Sequence, residues 1–248
     1  MTSTWIIVAV VAFVLALAAV LLLHPMKASR DPDREGYQDE EASLAYDRTS
    51  RGPVFAFERY LVMTALARLK AHGTVADVGS GPGHLAAKIS RAFPDLNVIG
   101  LDVNPYMVTL ANKNRLRNGF GNFELVRADV FSLPFASHSV DLVVSSLSLH
   151  HWADPARGLL DVHRVLIPGG KLLLFDLRRD SPVAVYYAFS VGQALFTPKA
   201  IRRTNGAVGS LWSSYTAQEV AALLSEAGFE NVEVTSQLGW LLAKGFKA

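Results

Sequence analysis

The feature that most constrains how this 248-residue chain folds is its alternation of short β-branched runs with stretches of helical character. Strands that alternate with helices pair in parallel, because a parallel connection needs a crossover of a dozen or more residues. The pattern therefore predicts an α/β fold around a parallel sheet. The predicted strands are 74–78, 97–101, 122–126, 140–145 and 171–176, with two more near 230–236 and 238–246.

Local capping signals mark where several of the intervening helices begin. Asn104-Pro105 and Asp154-Pro155 each put a capping side chain before a proline at the first helical position. Thr216 to Glu219 forms a capping box, and the helix that it opens is expected to stop at Gly228. Another helix is predicted over 54–71, just before the first strand.

The N-terminal segment from Trp5 to Leu23 contains no charged, amide or hydroxyl side chain. As a helix, residues 4–23 would span about 30 Å, the thickness of a bilayer's hydrocarbon core. The run is too long for the apolar region of a secretory signal peptide, and no small-residue cleavage site follows it. The sequence therefore predicts a single transmembrane helix at 4–23.

Basic residues flank this segment on one side only. Lys27, Arg30 and Arg34 follow it, whereas no Lys or Arg precedes it. The positive-inside rule then places the rest of the chain in the cytoplasm. Residues 24–50 are charged and interrupted by prolines, so we interpret them as a juxtamembrane tether. We expect a single-pass membrane protein that contacts the membrane through its N-terminal helix.

Composition excludes several kinds of partner and chemistry. With 24 Lys+Arg against 22 Asp+Glu, the net charge of +2 gives no electrostatic reason to expect nucleic acid as a partner. The chain contains no cysteine, which excludes disulfides, thiolate zinc sites and a cysteine nucleophile. No Asp, Asn and His cluster indicates a Mg²⁺ site, so no metal is predicted. No particular oligomeric state is predicted either.

A glycine-rich turn, VADVGSGPG over 75–83, ends the first strand and opens a helix. Glycines let backbone N–H groups approach a ligand, and ligands of open α/β sheets sit outside the carboxyl ends of the strands. A tight turn without a ligand is the alternative interpretation. The spacing is G-x-G-x-G, with His84 in place of the third glycine of a dinucleotide fingerprint, which disfavours NAD.

Two aspartates follow the next two strands. Asp102, at the end of the second strand, could accept hydrogen bonds from two ribose hydroxyls. Asp129, after the third strand, could accept from an adenine amino group while Val130 packs on the ring. Either aspartate alone could be a simple turn or capping residue. Three such features at successive strand ends favour an adenosine-containing cofactor.

These stretches together resemble class I S-adenosylmethionine-dependent methyltransferases, in particular the small-molecule group that includes ubiquinone/menaquinone-biosynthesis and sterol methyltransferases. The resemblance implies a Rossmann-like, doubly wound, mostly parallel seven-stranded sheet whose last two strands form an antiparallel hairpin. It also implies S-adenosyl-L-methionine as the cofactor and methylation as the reaction. The matching stretches are 75–83, 100–102, 128–129, 141–152 and 164–171, within core motifs at 74–177.

The resemblance also implies the site residues. The cofactor-binding residues would be Asp77, Gly79, Ser80, Gly81 and Gly83 at the methionine end, Asp102 and Val103 at the ribose, Asp129 and Val130 at the adenine, and Leu147 beside the methyl-transfer site. His150 and His151, after the fourth strand, are candidates for a catalytic base if the acceptor must lose a proton. The alternative is that they line the pocket or hydrogen-bond the loop.

The acceptor is expected to be a small molecule or a lipid. Residues 51–248 are interpreted as the methyltransferase domain, with the aromatic segment 182–215 as a substrate lid beside the membrane. Ser145 to Ser148 replaces the Asn-Pro-Pro-Tyr loop of many nucleic-acid and protein N-methyltransferases, which disfavours those substrates. Two other functions are weighed: a catalytically silent binding module with the same fold, and, less favoured, a nicotinamide-dependent oxidoreductase.

Overall fold

A seven-stranded sheet lies at the centre of the structure, a computed structural model that describes residues 2–26, 29–31, 39–118, 123–203 and 206–248. The strands are β1 (Thr74–Val78), β2 (Asn97–Asp102), β3 (Phe123–Arg127), β4 (Val140–Ser146), β5 (Leu166–Leu177), β6 (Glu230–Ser236) and β7 (Trp240–Phe246). The helices are α1 (Thr2–Leu23), α2 (Glu40–Thr49), α3 (Pro53–Leu69), α4 (His84–Ala92), α5 (Pro105–Asn118), α6 (Pro155–Val165), α7 (Val183–Phe196), α8 (Lys199–Arg202), α9 (Gly206–Ser213) and α10 (Ala217–Glu226), with a short 3-10 helix at Leu149–His151.

The strand order across the sheet is β3-β2-β1-β4-β5-β7-β6. The first five strands in the chain pair in parallel, whereas β7 runs antiparallel to both β5 and β6. The chain moves outward from β1 to β3 and then returns to place β4 on the other side of β1. This reversal is the topological switch point at which ligands bind in open α/β sheets. The predicted Rossmann-like sheet of seven mostly parallel strands is confirmed.

Helices cover both faces of the sheet, as a doubly wound fold requires. On one face, residues of α6 and α10 such as Leu159 and Leu224 pack on the strands in one apolar cluster. On the other face, α3 and α4 contribute Leu66 and Ile89 to a second cluster. The central strands β1 and β4 are buried on both sides, which explains why their sequences are nearly continuous apolar runs.

The beginnings of β5 and β7 differ from the prediction, and β7 begins at Trp240, two residues after the predicted start. β5 starts at Leu166, five residues early, because the chain pairs with β4 there before a bulge around Gly169, whose φ of +78° favours glycine. The Pro-Gly-Gly sequence is typical of a turn, so the sequence alone does not predict this first pairing between β5 and β4. β3 is described from Phe123, and the predicted first residue, Asn122, lies outside the described residues.

The predicted transmembrane helix requires a correction. Within the part of the chain that the structure describes, no helix combines the length and apolarity needed to span a membrane. The single-pass membrane localisation expected from the sequence is therefore wrong, and the expected membrane contact is unsupported.

The segment that follows α1 contacts the domain directly. His24 accepts a hydrogen bond from the Val183 N–H at 3.1 Å, and the Met26 N–H donates to the Ser181 carbonyl at 3.0 Å. Farther along, the Arg30 guanidinium lies 4.2 Å from the centre of the Tyr215 ring. Parts of the predicted tether thus pack beside α7 and α9. Lys27 and Arg34, which we used to predict orientation, lie outside the described residues.

Candidate active site

A cleft of about 490 Å³ opens at the carboxyl edge of the sheet, between the loops that follow β1, β2, β3 and β4. Its lining includes these predicted site residues: Gly79, Gly81, Asp102, Val103, Asp129, Val130, Leu147 and His151. A smaller cavity of about 50 Å³ shares part of that lining and adds Asp77 and Ser80. The structure thus brings together ten of the predicted residues, while Gly83 and His150 line neither cavity.

The glycine-rich turn after β1 is held by its own hydrogen bonds. The N–H groups of Gly79 and Ser80 both donate to the Leu101 carbonyl, at 2.8 and 2.9 Å. The Gly81 N–H donates to Asp102 Oδ2 at 2.8 Å. These N–H groups therefore have acceptors within the protein. What the glycines give the cleft is their left-handed backbone, with φ of +73° at Gly79 and +52° at Gly81, and an open surface.

Gly83 has a packing role. A Cβ atom there would lie 2.9 Å from the Ala111 Cβ and 3.1 Å from the Phe123 ring. The chain has already turned into α4 at this point, so the residue faces the neighbouring helix and strand instead of the cleft. Gly83 lines neither cavity, and its contact with the cofactor stays a prediction.

Asp102 is fixed by two backbone donors. Its Oδ2 accepts from Gly81, and its Oδ1 accepts the Asn104 N–H at 2.9 Å. Burial raises the pKa of Asp102, and these two N–H groups oppose the rise. Each carboxylate oxygen has a further lone pair, so the group can still accept hydroxyl hydrogen bonds in a defined orientation.

Asp129 combines a turn function with a position in the cleft. Its Oδ1 accepts the Phe131 N–H at 3.0 Å, which is the turn role weighed as an alternative. The residue is exposed and lines the cleft together with half-buried Val130. One carboxylate oxygen thus shapes the loop, while the pair still forms part of the wall of the cleft.

Asp77 is the most deeply buried acid of the site. It is the last residue but one of the central strand β1, with 1% of its surface exposed, and its Oδ2 has no hydrogen-bond partner among the described residues. Burial, and then the charge of nearby Glu58, raise the pKa of Asp77 to about 8. A buried carboxyl oxygen without a partner is costly, and such atoms mark functional sites. Asp77 is therefore available to a ligand.

Glu58 belongs to the site but was missed by the sequence analysis. It lies on α3, lines the smaller cavity and is 7% exposed. Ser146, at the end of β4, donates its hydroxyl to Glu58 Oε1 at 2.5 Å. The available signal was its spacing: Glu58 falls on the same helical stripe as buried Val62 and Leu66. A single acid on the side of a helix that faces the core indicates a buried carboxyl group with a functional role.

The two candidate catalytic histidines face different surroundings. His151 lines the large cleft. His150 is 2% exposed, and its ring atom Nδ1 lies 2.6 Å from Asp176 Oδ1. The backbone N–H of His150 donates to Asp176 Oδ2 at 3.1 Å. No described residue hydrogen-bonds its Nε2. Sequence reasoning had placed both rings beside the acceptor, but Asp176, distant in sequence, turns His150 inward.

The described part of the predicted substrate lid, 182–215, contains the three helices α7, α8 and α9. Tyr186 packs edge-to-face on Trp212, with 5.2 Å between ring centres. Tyr187 and Phe196 are exposed, the latter by 82%. No residue of this segment lines either of the two cavities. Its aromatic side chains therefore divide between packing within the segment and an exposed apolar surface.

Comparisons with known proteins agree with this geometry. The family described as a methyltransferase domain matches residues 76–174. The chain is 31% identical to an arsenite methyltransferase of Halobacterium salinarum, over 68% of this chain and 40% of that protein. It is 30% identical to the ubiquinone/menaquinone biosynthesis C-methyltransferase of Klebsiella pneumoniae, over 70% of this chain and 74% of that one.

Solved structures show the same fold. A putative S-adenosylmethionine-dependent methyltransferase of Methanococcus maripaludis superposes with a TM-score of 0.67 at 20% identity, covering 90% of this chain and 98% of its own. The chain belongs to the class I S-adenosylmethionine-dependent methyltransferases. It is an S-adenosylmethionine-dependent methyltransferase, and S-adenosylmethionine is its cofactor, as the resemblance implied.

Proposed function

We propose that this enzyme methylates a small, lipophilic acceptor with phenol or enol character, such as a quinol. The name of the Klebsiella pneumoniae relative supports this class, since it is a C-methyltransferase of quinone biosynthesis. The arsenite methyltransferase gives weaker support for its own substrate, because arsenic(III) is a soft, thiophilic centre and this chain has no cysteine thiolate.

The observation that carries the cofactor assignment is the convergence of three carboxyl groups from the strand ends on the large cleft and on the smaller cavity that shares part of its lining. Asp77 would hold the methionine end, Asp102 the ribose, and Asp129 with Val130 the adenine. The orphaned Oδ2 of buried Asp77 fits a cationic ligand group, and the fixed carboxylate of Asp102 fits a diol. Gly79, Ser80, Gly81, Val103 and Leu147 would complete the surface around the cofactor.

The protein itself needs to contribute little chemistry to the methyl-transfer reaction. When bound, S-adenosylmethionine supplies a sulfonium methyl group that is already activated for displacement. The protein must align the acceptor and exclude water. A phenol or enol must also lose a proton, and His151 lines the cleft where a base would be needed. His150 would act there only if the helices packed against it moved.

The segment 182–215 would close over the acceptor side, and residues 51–248 would form the whole methyltransferase domain. The 3-10 helix that carries both histidines packs against α9, so a movement of α9 would expose His150. The exposed apolar side chains of α7 would suit a lipophilic acceptor.

Calorimetry tests the cofactor site. S-adenosylhomocysteine should bind the wild-type protein, and NAD should give no heat. Asp102→Ala should weaken the binding of S-adenosylhomocysteine by at least about tenfold. Asp95→Ala is the matched control, because Asp95 is an exposed aspartate before the same strand, at the opposite edge of the sheet. Equal losses in the two variants would contradict the assigned role of Asp102.

The acceptor class is tested with labelled methyl. Transfer from methyl-tritiated S-adenosylmethionine to naphthalene hydroquinone, with and without an isoprenoid tail, should be measurable and faster with the tail. Labelling of hydrophilic metabolites in a cell extract, with none in the hydroquinones, would refute the proposed acceptor while leaving methyl transfer intact.

A further inference from the structure

The smaller cavity contains two buried carboxyl groups from neighbouring elements. Asp77 reaches it from the end of β1 and Glu58 from α3. The two groups are close enough for Glu58 to raise the pKa of Asp77. Two buried acids in one cavity are unfavourable unless a cation joins them. The cavity therefore favours a ligand that brings a positive charge.

Glu58 is held in place rather than loosely exposed. The Ser146 hydroxyl donates to Oε1 at 2.5 Å, and Ser146 ends β4, the strand beside β1. Burial raises the pKa of Glu58, although this hydrogen bond opposes the rise. Its carboxyl is thus fixed at the switch point of the sheet, in the same cavity as Asp77, whose Oδ2 has no hydrogen-bond partner among the described residues.

We propose that Glu58, positioned by Ser146, joins Asp77 in binding the α-ammonium group of the cofactor's methionine moiety. This inference rests on the proposed placement of the cofactor in the cleft. It assigns a cofactor contact to the helix that precedes the sheet, outside the motifs of the strand ends. An ammonium group between two carboxylates makes charge-assisted hydrogen bonds that a desolvated cavity strengthens.

Binding should then be coupled to protons. Below about pH 8, Asp77 holds a proton that must leave when the ammonium group binds, so affinity should rise as the pH rises toward that value. The other titratable groups that line the cavity or act on the pair are Tyr46, Arg59, His84, Lys88 and Asp102. At pH 6.5, calorimetry in buffers of different ionisation enthalpy should show proton release.

The decisive experiment compares two ligands by calorimetry. S-adenosylhomocysteine carries the α-amino group, and its deamino analogue lacks only that group. Glu58→Gln should weaken the binding of S-adenosylhomocysteine by about 10- to 100-fold and should change the affinity for the deamino analogue less than about twofold. Glu226→Gln, an exposed acid on α10, is the matched control and should change neither.

The outcomes separate the possible failures. Equal losses for both ligands in Glu58→Gln, or no loss for either, would overturn the inference. Absence of binding of both ligands to the wild-type protein would instead refute the proposed cofactor site. If Glu58→Gln does not fold, Ser146→Ala decides the question: a loss confined to S-adenosylhomocysteine supports the role of Glu58, and an unselective loss overturns it.

Discussion

Replacing Gly79 by alanine probes how tightly the turn after β1 is built. The added Cβ would lie 2.0 Å from the Ser148 Oγ and 2.5 Å from the Ser148 Cβ. The backbone at Gly79 also has a φ of +73°, which residues with a Cβ rarely adopt. Two separate penalties therefore apply, one from the backbone and one from the contact with the loop after β4.

Gly169→Ala separates these penalties. Gly169 has a similar φ of +78°, but a Cβ there meets no atom within 4 Å. A left-handed backbone costs about 1–2 kcal/mol for an ordinary residue, and both variants carry that cost. Overpacking costs a further 1–3 kcal/mol or so, and only Gly79→Ala carries it. The free energies of unfolding should thus differ by roughly 1–3 kcal/mol between the variants.

Urea denaturation of the two variants and the wild-type protein measures this difference, and calorimetry with S-adenosylhomocysteine measures its effect on the cleft. Gly79 lines both cavities, so its variant should also bind more weakly, whereas Gly169→Ala should bind normally. Adding Ser148→Gly to Gly79→Ala should recover part of the lost stability. Equal free energies of unfolding for the two single variants would refute the argument, because the turn would then be able to move away from Ser148.

Three further predictions concern stability. Asp176→Asn removes the charge opposite buried His150 and should lower the free energy of unfolding by about 1–3 kcal/mol, measured in urea; no change would mean that the pair contributes nothing to folding. Thr216→Ala removes a side chain that caps α10 and should cost about 1 kcal/mol by the same measurement, and a neutral result would show that the capping box is redundant. Glu219→Gln should destabilise the protein at neutral pH, and this effect should disappear on acidification. Burial acts to raise the pKa of Glu219, but hydrogen bonds from Arg179 and Thr216 lower it overall. The stability that the Glu219 carboxylate contributes is therefore present above its unfolded pKa and is lost as the pH falls. A pH-independent difference between Glu219→Gln and the wild-type protein in thermal unfolding would contradict that sign.

Much of the local structure was readable from sequence because its causes are local. β1 and β6 have the predicted bounds, since runs of β-branched residues between turn signals define them. The capping box at Thr216 forms both of its hydrogen bonds, and the Asp154 side chain caps α6. The start of β5 was missed because its first pairing with β4 is decided by a distant strand.

The candidate site divides in the same way. Asp77, Asp102 and Asp129 were predicted because the carboxyl ends of parallel strands meet at one edge of a sheet. Glu58 was not, because nothing in the sequence places its helix against the end of β4. The inward orientation of His150 likewise depends on Asp176, which is 26 positions away.

The order of residues along this chain was enough to determine the class of fold, since hydrophobic periodicity acts over a few residues, and its resemblance to a known family was enough to imply the cofactor. Only the packed molecule decided which acids are buried together, which histidine faces the cleft, and that the N-terminal helix does not meet the requirements of a membrane span. Burial and desolvation are properties of a three-dimensional environment, and segments far apart in the chain create that environment together.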